Sequence, residues 1–388
     1  MTVSEMSGQR VSAPVPSGRE QRVMCVRCVM DASDRDIAFD SEGVCSHCRS
    51  AEVSLAAVHL TPEESQRRLA EAVKTVKATQ RGKPYDSVVG LSGGVDSSYT
   101  AWLATQLGLK PLAVHFDNGW NSEAAVSNIR GVAEKCGLDL VTLVIDWPEF
   151  RDLQRAFIKA GVIDIEMLSD HAIMASMYRL AKEDGLSCVL SGTNVATEHG
   201  MPRSWVWNKQ DLTNILDIHR RFGEVPLRSY PRMGLMRSIL NRHLSVGFQF
   251  VELLDMANYT KTAALETLKR ECGWVYYGGK HYESAFTKFY QAYILPTKFH
   301  VDKRRVHLSA LIRNGEMTRE AALIELEKPL YTPDELRQEK EYVLKKLGFA
   351  ETEFDRIMAE SPVPHDHYKS DLRMRDGIKS IARLIKLA

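Results

Sequence analysis

From about Tyr85 onward, short apolar runs alternate with helix-length amphipathic stretches, the pattern of a parallel sheet covered by helices. The runs predict strands near 86–91, 112–116, 139–145, 187–191 and 248–253. The stretches between them predict helices at about 97–108, 122–136, 170–184 and 258–271. This is an α/β fold built on a doubly wound parallel sheet. Such sheets bind ligands beyond the carboxyl ends of their strands, so the residues that follow each run carry most of the chemistry.

Three of those ends are polar and specific. The first is Ser92-Gly93-Gly94-Val95-Asp96-Ser97-Ser98, where an apolar strand stops at a glycine turn and a helix begins. Two glycines let the backbone turn sharply against an anion, and the following helix offers unpaired N–H donors and its positive dipole end. Ser92, Ser97 and Ser98 add hydroxyls. No Lys-Ser/Thr pair closes a G-x-x-x-x-G spacing, which argues against a Walker-type loop. Ser-Gly-Gly-x-Asp-Ser at this position instead resembles the signature of PP-loop ATP pyrophosphatases. The second end, His115-Phe116-Asp117-Asn118-Gly119, offers Asp117 and Asn118 to a base or ribose, or to an Asx turn. At the fourth strand, Gly192-Thr193-Asn194 allows a phosphate or substrate close to the backbone, and it resembles the Gly-Thr segment of the same enzymes. Glu198 could ligate Mg²⁺ on the phosphates or stand as a solvated loop acid.

Both ends of the chain break the alternating pattern. Residues 1–20 are rich in Ser, Pro and Gly without an apolar signal-peptide core and read as a loose tail. Residues 21–55 hold Cys25-x-x-Cys28 and Cys45-x-x-Cys48, a spacing that suits four thiolates around one zinc ion, with Gly43 at the turn into the second pair. Two disulfides or an iron–sulfur cluster are the alternatives, and His47 reads as a bystander. Cys136, Cys188 and Cys272 stand alone, Cys188 inside a strand as a small hydrophobe, and no Gly-x-Cys-x-Gly elbow provides a glutaminase nucleophile.

Past Cys272, aromatics, glycines and charges mix without helical or alternating spacing, as in binding loops. The expected division is therefore a tail to 20, a zinc module over 21–55, a nucleotide domain over 56–275, and a mainly helical substrate or partner region over 276–388. Lys280, His281, Lys288, Arg304 and Arg305 cluster in that last region and suit a polyanionic substrate such as a nucleotide sugar, although Arg304 and Arg305 could equally lie on a solvated helix face. The charged stretch from Leu330 to Gly348 could serve partner docking or dimerisation.

The 388 residues carry 51 Lys plus Arg against 50 Asp plus Glu, so no global basic field points to a nucleic acid partner. No apolar run approaches the roughly 20 residues of a membrane span. A cytoplasmic protein is expected.

Four motifs narrow the resemblance: Cys-x-Arg-Cys-Val-Met-Asp at 25–31, Ser-Gly-Gly-Val-Asp-Ser at 92–97, Tyr-Gly-Gly-Lys-His-Tyr-Glu-Ser at 277–284 and Asp-Lys-Arg-Arg-x-His-Leu-Ser at 302–309. Together they look like the N-acetyl sugar amidotransferase family, whose members turn an acetamido group into an acetamidino group during the building of lipopolysaccharide O-antigen or flagellin glycans. The resemblance implies ATP as activator and ammonia from a glutaminase with a cyclase-like partner, both similar to the histidine-biosynthesis pair. Ser92, Gly93, Gly94, Val95, Asp96, Ser97 and Ser98 would then cradle the ATP phosphates with Mg²⁺, helped by Asp117, Asn118, Gly192 and Thr193. Asp96, Ser92 and His281 would stand nearest the chemistry. A tRNA-thiolating PP-loop enzyme with a zinc module is the neighbouring reading, weakened by the balanced charge and the scattered later cysteines. A non-catalytic scaffold of the same fold is the third, weakened by the intact loop.

Overall fold

Val88 and Val89 point to opposite faces of one strand and neither is exposed, so that strand must be covered on both sides. The computed structural model, which describes residues 23–80, 82–235, 249–279 and 282–377, has this architecture. Five parallel strands, β1 (Ser87–Gly90), β2 (Pro111–Asp117), β3 (Leu140–Val144), β4 (Cys188–Leu190) and β5 (Gln249–Val251), are ordered β3-β2-β1-β4-β5. Each lies inside its predicted range or within one residue of it.

Before the sheet come α1 (Ser46–Ala56) and α2 (Pro62–Thr79). Within it follow α3 (Val95–Gln106), α4 (Glu123–Cys136), α5 (Trp147–Ala160), α6 (Met167–Glu183), α7 (Val195–Glu198) and α8 (Leu212–Phe222). After β5 come α9 (Lys261–Cys272) and α10 (Ala285–Phe289), which runs into a π-helix at Tyr290–Phe299. The chain continues as α11 (Arg304–Arg313), α12 (Arg319–Glu327), α13 (Pro333–Leu347) and α14 (Glu351–Ala359). The region beyond α9 is thus helical. No helix among the described residues is long and apolar enough to cross a membrane.

One face of the sheet packs Val89 and Leu190 against Ala101, Ile129, Val132 and Leu268 of α3, α4 and α9. The other packs Val88, Val114 and Val189 against Ala181, with Met177 and Leu180 beside it on α6. The largest apolar cluster joins α5 (Phe150, Phe157), the C-terminal helices (Phe286, Phe289, Phe354) and the four N-terminal cysteines. The cysteine module therefore shares a core with the C-terminal region although the two are far apart in sequence.

The β3–β4 crossover holds two helices where the alternation predicts one. Asp146 caps α5 by accepting from the Glu149 N–H, Pro148 occupies its first turn, and Gly161 closes it in the left-handed conformation. A further helix, α8, follows β4, capped by Asp211.

Candidate active site and metal centre

With strand order β3-β2-β1-β4-β5, the chain reverses direction between β1 and β4, and a ligand crevice opens beyond the carboxyl ends at that point. The phosphate loop leaves β1 there, and Gly192-Thr193 leaves β4 beside it. Gly93 has φ +85°, and a Cβ on it would lie 2.7 Å from the Ala125 carbonyl oxygen of α4, so only glycine fits. Gly94 is the N-cap of α3 and has no side chain to satisfy the helix's first N–H groups. Ser92 and Ser97 hold the loop in shape: their hydroxyls lie 3.0 Å apart, and Ser97 Oγ accepts from the Ser92 N–H and donates to the Gly94 carbonyl. Val95 and Ser98 are both buried, and the Ser98 N–H donates to the Gly94 carbonyl at 3.0 Å.

Gly192 has a structural neighbour at close range. A Cβ there would lie 3.2 Å from the Ser97 nitrogen, so β4 ends directly against the first turn of α3. Thr193 is exposed and its N–H donates to Ser191 Oγ. Asp117 and Asn118 both form Asx turns: Asp117 Oδ1 accepts from the Gly119 N–H and Asn118 Oδ1 from the Trp120 N–H. Asp117 Oδ1 also accepts from Asn121 Nδ2, 2.9 Å away, and Asn118 Nδ2 donates to Ser169 Oγ.

Several residues that sequence reasoning missed complete the site. Tyr259 donates its hydroxyl to Asp96 Oδ1 at 2.5 Å, and burial, then Asp96, push that phenol far above its ordinary range. Asp255 accepts from the Val195 N–H at 2.8 Å; burial raises its pKa, and nearby Glu198 adds to the effect. Asp96, Glu198 and Asp255 all surround or adjoin Tyr259. His115 lies 3.0 Å by Nδ1 from the Leu91 carbonyl just before the loop and 3.0 Å by Nε2 from Asn121 Nδ2, so carbonyl and amide together select the Nδ1–H tautomer. Only spatial proximity could have assigned these roles: Tyr259 and Asp255 lie far downstream with no motif around them, and His115, although it opens the run at the second strand's end, meets Leu91 and Asn121 only in the fold.

The segment after α9 lies on the loop. Trp274 Nε1 donates to the Gly93 carbonyl at 3.1 Å, while Asn128 of α4 clamps Val275 through both its N–H and its carbonyl. The Tyr277 hydroxyl and Glu283 Oε1 lie 3.5 and 3.4 Å from where a Gly94 Cβ would be. Burial and the Glu283 carboxylate, to which it hydrogen-bonds, push the Tyr277 hydroxyl up. Glu283, Ser284 and Ala285 are pinned to the loop after β2 by the Ser122–Glu283 and Ala285–Trp120 backbone hydrogen bonds, both 2.8 Å.

On the other side of the loop a cavity of about 470 Å³ is walled by Phe116, Met174, Met177, Tyr178 and Phe250 and floored by Ser92, Ser191, Gly192 and Thr193. Its apolar walls and small polar floor suit a flat heteroaromatic ring.

The predicted cations separate. Lys288 pairs with Glu339 at 2.7 Å and lies over the rings of Tyr282 and Tyr331. Arg304 forks onto Asp302 and the last carbonyls of α12, those of Glu325 and Leu326, with that of Lys328 just beyond. Arg305 pairs with buried Asp31 of the cysteine module, which is neither the solvated face nor the substrate cluster expected of it. Lys280 and His281 lie outside the described residues.

Cys25, Cys28, Cys45 and Cys48 are all buried, with their four sulfurs within 4.8 Å of one another. Cys25 and Cys48 Sγ are 3.9 Å apart and Cys28 and Cys45 Sγ 3.7 Å. A disulfide needs about 2.05 Å, whereas zinc–sulfur bonds of about 2.3 Å in a tetrahedron separate the sulfurs by about 3.8 Å. The N–H groups of Arg27, Cys28 and Cys45 point at Cys25 Sγ and that of Met30 at Cys28 Sγ, as thiolate ligands require. The donor set fits a single zinc ion. His47 is turned to Asp34 at 2.7 Å and takes no part in the cluster.

Residues 66–194 match the asparagine synthase family model, and residues 283–382 match the model described as LPS biosynthesis protein WbpG-like, C-terminal domain. Among solved structures, an NMN synthetase from Francisella tularensis is 17% identical, covering 57% of this chain and 100% of its own, with a TM-score of 0.29. An NH3-dependent NAD synthetase from Campylobacter jejuni is 16% identical, covering 74% and 97%, with a TM-score of 0.30. Both likenesses are too slight to place a residue. No curated protein gives a significant match. The sheet, its loop and the first family match define an ATP-using PP-loop enzyme of the ligase type. The second match adds, in the same chain, a likeness to the C-terminal domain of a WbpG-like protein of LPS biosynthesis.

Proposed function

We propose that the protein adenylates the acetamido oxygen of a nucleotide-linked amino sugar and then replaces that oxygen with nitrogen from ammonia, leaving an acetamidino group. The observation that carries this reading is the seating of Tyr277 and Glu283, at the entry to the WbpG-like region, against Gly94 of the phosphate loop. On this reading one crevice joins the ATP site to the region that matches the WbpG-like model.

The acetamido oxygen attacks the α-phosphorus of ATP, and the bond to the bridging oxygen breaks to release pyrophosphate. The amide gives up its proton, and an O-adenylyl imidate results. Ammonia adds to the imidate carbon, and AMP leaves with the original oxygen. The loop amides and the start of α3 hold the departing pyrophosphate, where fixed dipoles need no reorganisation. The cavity beside Met177 and Phe250 takes the adenine. Asp96 and Glu198 are the carboxylates that would hold Mg²⁺, which neutralises phosphate charge when bound. Tyr277 and Tyr282 shield the site against water, which would return the imidate to the amide. Lys288 is the described cation we assign to substrate charge, and we place Lys280 and His281 on the same segment. We assign the ammonia supply to a separate glutaminase with a cyclase-like partner.

The test is mass spectrometry of UDP-linked diacetamido sugars, uronic acids included, incubated with the protein, ATP, Mg²⁺ and ammonium. The expected result is replacement of one oxygen by NH, matched by AMP release. ATP consumption only on addition of tRNA, with every sugar unchanged, would contradict the proposal.

A further inference from the structure

The cysteine module is gripped by the C-terminal region at its ligand-bearing turns. Arg319 of α12 donates from Nε to the Cys28 carbonyl and from Nη2 to the Cys25 carbonyl, both at 3.1 Å. Arg305 of α11 donates to the Val29 carbonyl at 2.9 Å and pairs with Asp31 at 3.2 Å. Ser309 accepts from the Val29 N–H at 3.2 Å, and Arg313 reaches the His47 carbonyl between the second pair of cysteines. The Val29–Met30 peptide is a relay: its carbonyl faces the Arg305 guanidinium, and its N–H points at Cys28 Sγ, 3.5 Å away.

Four thiolates around Zn²⁺ carry a net charge of about −2. The Arg305 guanidinium holds the carbonyl end of the Val29–Met30 peptide, and the Arg319 guanidinium holds the carbonyls of the ligand residues Cys25 and Cys28 themselves, so both bring positive charge to the thiolate cluster and fix the turns that present the sulfurs. We propose that Arg305 and Arg319 are positioning residues of the metal centre, so that zinc affinity depends on α11 and α12 being docked. By linkage, zinc occupancy then holds α11 and α12 in place. Helix α11 also packs against α7, which follows Gly192-Thr193 at the nucleotide crevice. The metal centre thereby braces the side of the crevice that follows β4. The inference rests on zinc filling the four-cysteine site and is independent of the sugar chemistry.

The experiment is equilibrium competition for zinc between the full-length protein and a chromogenic chelator. Arg319→Gln and Arg305→Gln should weaken zinc binding by about 10- to 100-fold, with Arg319→Lys intermediate. Arg337→Gln, at an exposed residue paired only with Asp334, should leave it unchanged. Circular dichroism selects the folded variants. Because Arg305→Gln strands the buried Asp31 carboxylate, Arg319→Gln is the decisive substitution. Amide exchange of the unsubstituted protein gives the reciprocal reading: removal of zinc should speed exchange over residues 304–327 and 195–198 and leave residues 123–136 unchanged. A folded Arg319→Gln protein with undiminished zinc affinity, or exchange over 304–327 indifferent to zinc, would overturn the proposal, as would purified protein that binds no zinc.

Discussion

Gly93 is the most constrained residue of the crevice, held at φ +85° with the Ala125 carbonyl where a Cβ would be. Gly93→Ala should therefore move the loop off α4 and lower AMP formation by about 100-fold or more, because small misplacements of a phosphate cradle cost that much. Single-turnover assays check it, and unchanged turnover would remove the loop from the mechanism. The lone cysteines behave differently from one another. Cys188, buried in β4, has its thiol pushed up to about 12 by burial, as a packed hydrophobe should. Cys136 is half-buried beside Cys272, whose thiol donates to it and lowers it to about 7. Alkylation should label Cys136 before Cys188 and Cys272, with a midpoint near that pH; a midpoint close to an ordinary thiol's would contradict the pairing. The Ser-Gly-Gly signature was legible because its chemistry is local. Tyr259 and His115 were not, because each gains its role from a partner in another element. Arg304 and Arg305 looked like substrate cations for the same reason, since Asp31 lies far upstream of Arg305.

All five strands were legible because each is an apolar run bounded by polar residues. The helices were read less completely. Assigning one helix to each crossover passes over α5, although Asp146, Pro148 and Gly161 mark its ends. The aromatic segment after α9 was recognised as binding-loop material, but its contact with the phosphate loop depends on Asn128 and Trp274 and needed the fold. Asn128→Ala removes both hydrogen bonds to Val275, a loss of roughly 1–3 kcal/mol. It should raise KM for the sugar more than KM for ATP, because it frees the C-terminal side of the crevice and leaves the apolar cavity intact. Equal effects on both would contradict that division of labour. A second joint links α8 to the chain after α14. His365 stacks on Trp207, its Nδ1 is 2.8 Å from Asn214 Oδ1, and Nε2 accepts from the Asp164 N–H. Burial holds this imidazole down at about 4. Below an ordinary histidine pKa of 6.5, the unfolded chain takes up a proton that the folded chain refuses. Stability from this group is therefore full above that value and declines as pH falls toward 4. Urea unfolding should give about 2 kcal/mol less stability at pH 5 than at pH 7 from this group alone, and His365→Gln should flatten the difference.

At the scale of the molecule, the two largest apolar cores among the described residues differ in what they join. One belongs to the sheet with α3, α4 and α9, and the other is shared by α5, the cysteine module and the C-terminal helices. The sequence separates these regions clearly by composition and cysteine spacing. It does not reveal that the first and last of them pack together, because Arg305, Arg313 and Arg319 meet the module across more than 260 residues. Balanced charge is consistent with a site whose cations are used locally in ion pairs and not spread into a field for nucleic acid. The central claim is that the nucleotide crevice joins ATP to an acetamido oxygen. The most direct test supplies the nucleotide sugar with an isotopically heavy acetamido oxygen and asks by mass spectrometry where the label goes. The account predicts the label in the phosphate of AMP, one label for each acetamidino group formed. Label retained in the sugar while ATP is consumed, or label found in inorganic phosphate with ADP as product, would contradict it.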